Sequence, residues 1–192
     1  MEGSEPRCAA VILAAGASSR FGSAPKQLAR FRGLPMVRIA VDAALASGVF
    51  EAVGVVTGAV ELTEVLPADV TVIHNPEWAD GQASSVQAGV RWASELGVDA
   101  VVVGLGDQPM VVADAWKLVA ESSLPSPILI ATYQGRRGNP VRLSAEVWDL
   151  LPSTGDEGAR AILRLRPELA GEIPCPGTMV DIDTQEDFDR WN

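Results

Sequence analysis

The sequence predicts one α/β domain over residues 1–192, built on a mainly parallel β-sheet with helices on both faces. Short apolar, β-branched runs alternate along the chain with longer amphipathic stretches, which is the order expected of βαβ units. Runs such as the three valines at 101–103 lack period-2 alternation, so both faces of these strands are expected to be buried. No repeat, linker or low-complexity stretch interrupts the pattern, and 192 residues suit one domain.

The apolar runs define the predicted strands, which are 10–13, 52–56, 70–73, 100–105, 127–132 and 178–182. Apolar residues at helical spacing predict helices over 37–45, 86–96, 113–122, 145–151, 157–165 and 184–191. Ser84 and Ser85 are suited to cap the second helix, and Thr184 with Asp187 matches a capping box at the last. The turn-rich segment 132–140 is predicted to carry a β-ribbon or a site loop.

Charge is unevenly distributed along the chain. The net charge of −10 argues against nucleic acid and anionic membranes as partners. Two stretches nevertheless lack Asp and Glu, and both are basic: residues 6–41 with six Lys or Arg, and residues 122–145 with Arg136, Arg137 and Arg142. These stretches predict sites for anionic ligands, although arginines on a solvated turn would explain the second equally well.

Cysteine usage and the chain opening predict a cytoplasmic protein. Cys8 and Cys175 are far apart, so neither a disulfide framework nor zinc-ligand spacing is present. The opening is acidic rather than signal-like, and no apolar stretch approaches the ~20 residues that span a bilayer. We therefore expect reduced cysteines.

A loop of small residues follows the first predicted strand, from Ala14 to Lys26. Small side chains let the backbone approach a ligand, and successive N–H groups can face an anion. Arg20 and Lys26 add positive charge, and Lys26 is one of only two lysines in the sequence. The loop fits neither the Walker nor the dinucleotide pattern. A tight strand-to-helix turn is the alternative, but the acid-free flank favours a polyphosphate site.

Acidic residues follow other predicted strands. Asp107 comes directly after the strand at 100–105, where it is suited to bind Mg²⁺ or to cap a turn. Asp181 and Asp183 lie on one face of the predicted strand 178–182, and either could be a second ligand. The only histidine, His74, is interpreted as a loop residue, so no histidine-based nucleophilic site is expected elsewhere.

Polar groups near two predicted helix starts are further candidates for ligand binding. Asn75, Ser84 and Ser85 surround the start of the second helix, where they could bind a phosphate or base edge or only cap the helix. Arg160 lies in the first turn of another helix, a position unfavourable for the helix dipole unless an anion is bound there.

In their order along the chain, these segments resemble the MobA-like nucleotidyltransferases, most of all the molybdenum cofactor cytidylyltransferase branch. The matching segments are 13–16 with Arg20, Gly22 and Lys26; 75–78 with Gly81, Ser84 and Ser85; 106–109; 135–140; 155–160; and 181–184. The resemblance implies a Rossmann-like nucleotidyltransferase fold. It also implies transfer of a nucleoside monophosphate from a nucleoside triphosphate to a phosphorylated acceptor, with release of pyrophosphate.

The resemblance assigns roles to individual residues. It implies a nucleotide site formed by Leu13, Ala14, Ala15, Gly16, Arg20, Lys26, Asn75, Ser84 and Ser85. It implies an acceptor site formed by Arg136, Arg137, Asn139, Asp156 and Arg160. Asp107 and Asp183 would hold Mg²⁺, and Arg20, Lys26 and Asp107 would be catalytic. A phosphate monoester is already ionised at neutral pH, so its attack on the α-phosphate needs positioning and charge neutralisation rather than a general base.

The leading hypothesis is transfer of CMP from CTP to a molybdopterin-type cofactor, because Ala14, Ala15 and Gly16 resemble the cytidylyl branch. A molybdoenzyme or cofactor-insertion chaperone would then be a protein partner. Two departures, three residues between Gly22 and Lys26 and the pair Asn139-Pro140, leave the acceptor open. Alternatives are a sugar phosphate, methylerythritol phosphate or phospholactate-type acid, used with CTP or GTP. A nucleotide- or cofactor-binding accessory protein without turnover is the alternative from another class.

Overall fold

Residues 6–18, 21–22 and 24–192 are described by the computed structural model, and within them the chain forms one seven-stranded sheet and a separate two-stranded ribbon. The strands are β1 (Cys8–Leu13), β2 (Arg30–Phe31), β3 (Leu34–Pro35), β4 (Val53–Thr57), β5 (Thr71–His74), β6 (Ala100–Leu105), β7 (Ile128–Tyr133), β8 (Arg136–Ser144) and β9 (Ala170–Pro174). The α-helices are α1 (Met36–Ala46), α2 (Gln82–Leu96), α3 (Ala113–Glu121), α4 (Ala159–Leu165) and α5 (Gln185–Trp191). Short 3₁₀ helices span Lys26–Leu28, Thr63–Val65, Trp78–Asp80, Ala145–Leu150 and Pro167–Leu169.

The large sheet has the order β5-β4-β1-β6-β8-β7-β9. Strand β8 is antiparallel to both neighbours, and the other pairs are parallel. The chain builds outward from β1 through β4 to β5 and then returns to place β6 on the other side of β1. This reversal lies between Leu13 and Leu105, the paired last residues of β1 and β6. Open α/β sheets bind ligands at such a point.

Both faces of the sheet are covered, as the continuous apolar runs predict. On β1, Cys8, Ala10 and Ile12 belong to the core that includes buried residues of α1 and α3. The intervening residues Ala9 and Val11 belong to the core on the α2 side. All five are at most 2% exposed, which explains why this strand shows no polar alternation. The predicted α/β class, with a mainly parallel sheet and helices on both faces, is confirmed.

The last predicted strand, 178–182, is wrong. Among the described residues this segment pairs with no strand, and it crosses the end of β6, where the Ile182 N–H donates to the Asp107 carbonyl at 3.0 Å. Ile182 is buried with Phe21, Phe31 and Met36 in a small apolar cluster outside the sheet. Burial against this cluster, and not strand pairing, explains its apolar residues.

Besides the short strands β2 and β3, two strands of the large sheet are absent from the predicted strands, β8 and β9. The turn-rich segment 132–140 contains the two-residue turn Gln134-Gly135, in which both residues have positive φ, and the turn joins β7 to β8 as a hairpin. The β-ribbon alternative is therefore the correct one, and β8 extends to Ser144. Strand β9 has the sequence Ala-Gly-Glu-Ile-Pro and offers little β-propensity; it forms by pairing with β7.

Helix starts differ in part from the predictions. Helix α2 begins at Gln82 after Gly81, so Ser84 and Ser85 lie inside its first turn and do not cap it. The Thr184–Asp187 capping box is present at α5 and is confirmed. The predicted helix 145–151 is a 3₁₀ helix instead. No helix in the described ranges is long and apolar enough to cross a membrane.

Candidate active site

The small-residue loop, residues 14–18, follows the end of β1, and its first three carbonyl groups accept hydrogen bonds from within the protein. The Leu13 carbonyl accepts from the Gly106 N–H at 2.9 Å, and the Ala15 carbonyl accepts from the Ala59 N–H at 3.0 Å. The Ala14 and Gly16 carbonyls both accept from Nε2 of Gln27, at 3.3 and 2.6 Å. Arg20, which the sequence predicts as a catalytic and nucleotide-binding residue, lies outside the described residues.

Lys26 brings two distant carboxylates together. Its Nζ is 2.5 Å from Oδ2 of Asp107 and 2.8 Å from Oδ1 of Asp183. The three side chains are 15%, 19% and 30% exposed, so solvent screens their charges only partly. The sequence-predicted residues Lys26, Asp107 and Asp183 therefore form one charged cluster, with one positive and two negative charges.

Burial and charge act in opposite directions on the cluster. Burial acts to lower the pKa of Lys26, but the charges and hydrogen bonds of Asp107 and Asp183 outweigh it and raise that pKa. Burial raises the pKa of the Asp107 carboxyl, and attraction to Lys26 offsets part of the effect. Lys26 therefore stays protonated at neutral pH and neutralises one of its carboxylate partners.

Two elements hold Asp183 beside Lys26. The capping box at Thr184 fixes the start of α5 directly after Asp183. On α5, the ring of Phe188 packs edge-on against Phe21, with centroids 5.7 Å apart. Asp181 is directed elsewhere, since its Oδ1 accepts from Nε2 of Gln108 at 2.6 Å. Of the two acids that the sequence left as alternatives, Asp183 is the one that contacts Lys26.

Asn75 and Ser84 form a support beneath the start of α2. Asn75 Nδ2 donates to Ser84 Oγ at 2.9 Å and to Ser85 Oγ at 3.1 Å. Ser84 Oγ in turn donates to the carbonyls of Glu77 and Gly81, at 2.8 and 2.9 Å. Asn75 and Ser84 are 1% and 3% exposed and line neither cavity described below. In this structure the two residues support the 75–85 segment, and their contact with a nucleotide stays a prediction.

The loop cleft, as we name it, is a cavity of about 440 Å³ at the carboxyl ends of β1 and β6. Its lining includes six residues of the predicted nucleotide site and one predicted metal ligand: Leu13, Ala14, Ala15, Gly16, Lys26, Ser85 and Asp107. Trp78 also contributes. The start of α2 reaches the cleft through Gly81 and Gln82, so its positive dipole end adds to the charge of Lys26.

A second cavity, the hairpin pocket, has a volume of about 370 Å³ and lies beside the β7–β8 hairpin. It shares Gln82, Leu105 and Asp156 with the loop cleft, so the two cavities are neighbours. Its floor is apolar and includes Val86, Val103, Ile130, Val141, Leu143 and Leu163.

Four of the five predicted acceptor residues line the hairpin pocket: Arg137, Asn139, Asp156 and Arg160. Arg136 is exposed and does not line this pocket, and its acceptor role stays a prediction. Asp156 also closes the start of α2, where its Oδ1 accepts from the Gln82 N–H at 3.4 Å. Arg137 is paired with Glu172 at 2.7 Å, whereas within the described chain Arg160 has no carboxylate partner.

Arg142, the third arginine of the second acid-free stretch, does not face the pocket. It is 5% exposed, and its Nη1 donates to the carbonyls of Ala120 and Ser122 at 2.9 and 2.8 Å, at the end of α3. The expectation that it contacts an anion is wrong, because alternation along β8 directs it to the opposite face of the sheet. His74 is exposed at the end of β5 and lines neither cavity.

The cluster offers part of a site for a hard divalent cation. Asp107 Oδ1 is buried and has no hydrogen-bond partner in the described part of the chain. Carboxylate oxygens are ligands that Mg²⁺ prefers, usually together with substrate phosphates and water. Across the described ranges no three His, Cys, Asp or Glu side chains converge as a complete metal site. Asp107 and Asp183 therefore fit a metal that is shared with a bound polyphosphate.

Gln27 is the site residue that the sequence pattern missed. It is 3% exposed, and in addition to its two carbonyl contacts its Oε1 accepts from Ser18 Oγ at 2.7 Å. Nothing in the local sequence distinguishes this glutamine from a surface residue of a short helix. Only its place beneath the small-residue loop reveals it.

Comparison with known proteins finds relatives over nearly the whole chain. The sequence model of the family described as MobA-like NTP transferase domain matches residues 10–172. Nicotine blue oxidoreductase of Paenarthrobacter nicotinovorans is 33% identical, and the alignment covers 96% of this chain and 96% of that protein.

Solved structures share the fold. Rv0371c from Mycobacterium tuberculosis H37Rv superposes with a TM-score of 0.81 at 26% identity, covering 98% of both chains. A further structure of Rv0371c is a complex with manganese. A nucleotidyl transferase from Methanothermobacter thermautotroptrophicus superposes with a TM-score of 0.80 at 27% identity, over 96% of this chain and 95% of that one.

Proposed function

The chain belongs to the MobA-like NTP transferase family, a family of nucleotidyltransferases, and from that premise we propose that it transfers CMP from CTP to the phosphate of a molybdopterin-type cofactor, with release of pyrophosphate. One observation carries the proposal. The loop cleft, which is lined by Lys26 and Asp107, shares Gln82, Leu105 and Asp156 with the hairpin pocket, which is lined by Arg137 and Arg160. A donor and an acceptor could thus meet at Leu105 and Asp156, which both cavities share.

The donor triphosphate would lie in the loop cleft. Lys26, the start of α2 and the N–H groups of the small-residue loop supply positive charge or donors there, and each stabilises the charge that develops on a leaving pyrophosphate. The support for CTP over GTP is the form Ala14-Ala15-Gly16, which resembles the cytidylyl branch.

Asp107 and Asp183 would hold Mg²⁺. When bound, Mg²⁺ would neutralise charge on the α-phosphate and on the leaving pyrophosphate. Lys26 now contacts both carboxylates, so it would have to give up at least one of these contacts for a metal to bind. It could then pair with a phosphate oxygen, which exchanges one anionic partner for another.

The acceptor would lie in the hairpin pocket. Its apolar floor suits the body of a flat heterocycle, and its arginines suit a phosphate group. A pterin phosphate combines both features, whereas a sugar phosphate would place hydroxyl groups against apolar side chains without partners. The attacking phosphate oxygen is already ionised, which agrees with the absence of a histidine from the described lining of both cavities.

A second candidate function is oxidation or reduction of a heterocyclic substrate. The 33% identity to a protein named nicotine blue oxidoreductase favours it. This function would use a reduced nicotinamide dinucleotide in the loop cleft and the apolar floor for the substrate ring. The charged cluster of Lys26, Asp107 and Asp183 supports the transferase instead, because hydride transfer needs no paired carboxylates.

The deciding experiment measures two products in parallel. Wild-type protein with Mg²⁺ is incubated with CTP or GTP, with and without molybdopterin, sugar phosphates, methylerythritol phosphate and phospholactate, and pyrophosphate is quantified. Oxidation of NADH and NADPH is followed with and without a heterocyclic electron acceptor. We expect pyrophosphate with CTP and molybdopterin only. Turnover with another phosphate would keep the class and change the acceptor, whereas dinucleotide oxidation without pyrophosphate would favour the second function. Tight nucleotide binding without any turnover would favour an accessory protein.

A further inference from the structure

We propose that Gln27 is a positioning residue of this site, which holds the small-residue loop so that its N–H groups can bind a polyphosphate. The proposal rests on the proposed function and deepens it by naming what orients the loop. The carboxamide of Gln27 donates to the carbonyls of Ala14 and Gly16, at 3.3 and 2.6 Å.

Because the peptide bond is planar, the direction of a carbonyl group determines the direction of the next N–H group. In a trans peptide the C=O and the following N–H point in opposite directions. Because Gln27 holds the Ala14 and Gly16 carbonyls, the N–H groups of Ala15 and Ala17 point away from its carboxamide. Both residues line the loop cleft, and among the described residues nothing accepts a hydrogen bond from either N–H. Two donors are thus left for a ligand.

The two carbonyls fix the orientation of the carboxamide, because they can only accept, and the Ser18 hydroxyl satisfies its oxygen end. Ser18 Oγ donates to Gln27 Oε1 at 2.7 Å, so the oxygen end is occupied and the nitrogen end faces the two carbonyls. With the carboxamide reversed, its oxygen would face two carbonyl oxygens and repel them. Burial strengthens this preference, because water is not present to replace a lost partner; Gln27 is 3% exposed.

The test compares Gln27→Met with a matched control, Gln87→Met. Gln87 Nε2 likewise donates to two carbonyls, those of Leu151 and Pro152 at 2.9 and 3.5 Å, but it lines neither cavity. Binding of inorganic pyrophosphate and of cytidine is measured by calorimetry, and thermal unfolding is measured alongside. Pyrophosphate reports on the loop without the base, and cytidine reports on the base without phosphates.

We expect Gln27→Met to weaken pyrophosphate binding by about tenfold or more, the effect of charge-assisted hydrogen bonds that are no longer aligned. Cytidine binding is expected to stay unchanged, and Gln87→Met is expected to change neither. In turnover, the KM for CTP should rise while the KM for the acceptor stays constant. If Gln27→Met is unfolded, Ser18→Ala replaces it, with an expected loss of about threefold.

The proposal would be overturned if Gln27→Met bound pyrophosphate as tightly as the wild type and only its Tm fell, as in Gln87→Met. Gln27 would then contribute to stability and not to ligand binding. Wild-type protein that fails to bind pyrophosphate would also overturn the proposal. The two proposals can fail separately. If the tenfold loss is observed but the wild-type protein transfers no CMP, the loop is an anion site and the proposed function is the part that is wrong.

Discussion

The loop cleft and the hairpin pocket are neighbours built on different principles. The loop cleft is lined by charged groups that contact each other, Lys26 and Asp107, and Lys26 also contacts Asp183; the three side chains are each at most 30% exposed. In the hairpin pocket the charged groups are exposed, and Arg160 stands over an apolar floor without a carboxylate partner among the described residues. The loop cleft thus holds its charges in largely buried contacts, whereas the hairpin pocket has only exposed charges, among which Arg160 is open to a ligand.

This difference indicates where chemistry and specificity reside. Buried, mutually bonded groups lose little entropy when a ligand binds, which suits a step that every turnover needs. Exposed arginines around an apolar floor can be replaced without disturbing the fold, which suits recognition of one acceptor among several. Substitutions in the loop cleft should therefore change both rate and stability, and substitutions in the hairpin pocket should change only acceptor affinity.

The largest effect is expected for Asp107→Asn. It removes one of two carboxylates that would hold the metal, and kcat should fall by about 10²–10³-fold. Initial rates of pyrophosphate release at saturating substrates measure the change, with the exposed Asp149→Asn as a control. Full activity of Asp107→Asn would remove this residue from the metal site.

Lys26→Met should lower both activity and stability. It leaves two carboxylates facing each other, at a cost of about 1–3 kcal/mol for side chains that are partly screened. The double variant with Asp107→Asn should recover part of that loss in urea unfolding. Lys117→Met, at the other, exposed lysine, should change neither quantity.

The contribution of Lys26 to the free energy of unfolding should depend on pH, because its pKa is shifted in the folded state. Because the folded-state pKa is raised, the contribution is complete below the ordinary lysine pKa and is lost as pH rises through the raised value. The difference in stability between wild type and Lys26→Met should shrink at alkaline pH. A difference that grows there would contradict the assigned direction.

Arg160→Ala should affect only the acceptor. We expect the acceptor KM to rise about tenfold, since one charge-assisted contact is lost, with the KM for CTP and the Tm unchanged. Arg91→Ala, an exposed arginine of α2, is the control. A rise in the KM for CTP of similar size would contradict the assignment of the nucleotide to the loop cleft and of the acceptor to the hairpin pocket.

The smallest kinetic effect is expected for Arg142→Met. Its guanidinium holds the end of α3 through the Ala120 and Ser122 carbonyls, so its loss should cost about 1–3 kcal/mol of stability. The kinetic constants should stay at wild-type values. A changed acceptor KM at unchanged Tm would return Arg142 to the acceptor site.

The sequence predicts the centre of this molecule better than its periphery. Continuous apolar runs identified β1 and β6, because strands buried on both faces leave no other pattern. The hairpin turn at Gln134-Gly135 was visible only as a turn-rich stretch, since positive φ at both positions has no fixed sequence. Segment 178–182 was wrongly predicted as a strand, because burial of Ile182 against Phe21 and Phe31 produces the same apolar pattern as a strand.

The candidate site likewise contains residues that the sequence predicts and residues that it does not. Asp107 was predicted because a carboxylate directly after a buried strand stands out in a sequence, and Lys26 because one of only two lysines lies in an acid-free loop. Asp183 was assigned by the resemblance, since the residues alone left Asp181 and Asp183 as alternatives. The direction of an arginine side chain cannot be predicted in this way, and Arg137 and Arg142 face different surroundings although they lie on one strand. Gln27 was missed because its two amide-nitrogen contacts are with backbone carbonyls, which leave no residue pattern to detect.

The most direct measurement of the central claim follows the α-phosphate of CTP. Wild-type protein is incubated with Mg²⁺, molybdopterin and CTP that carries a radiolabel on its α-phosphate, and the products are separated. We predict that the label moves to the acceptor, that this transfer requires molybdopterin, and that it is lost in Asp107→Asn. Label that stays in CTP, or that is released as CMP at the same rate without an acceptor, would contradict a transferase site shared by the two cavities.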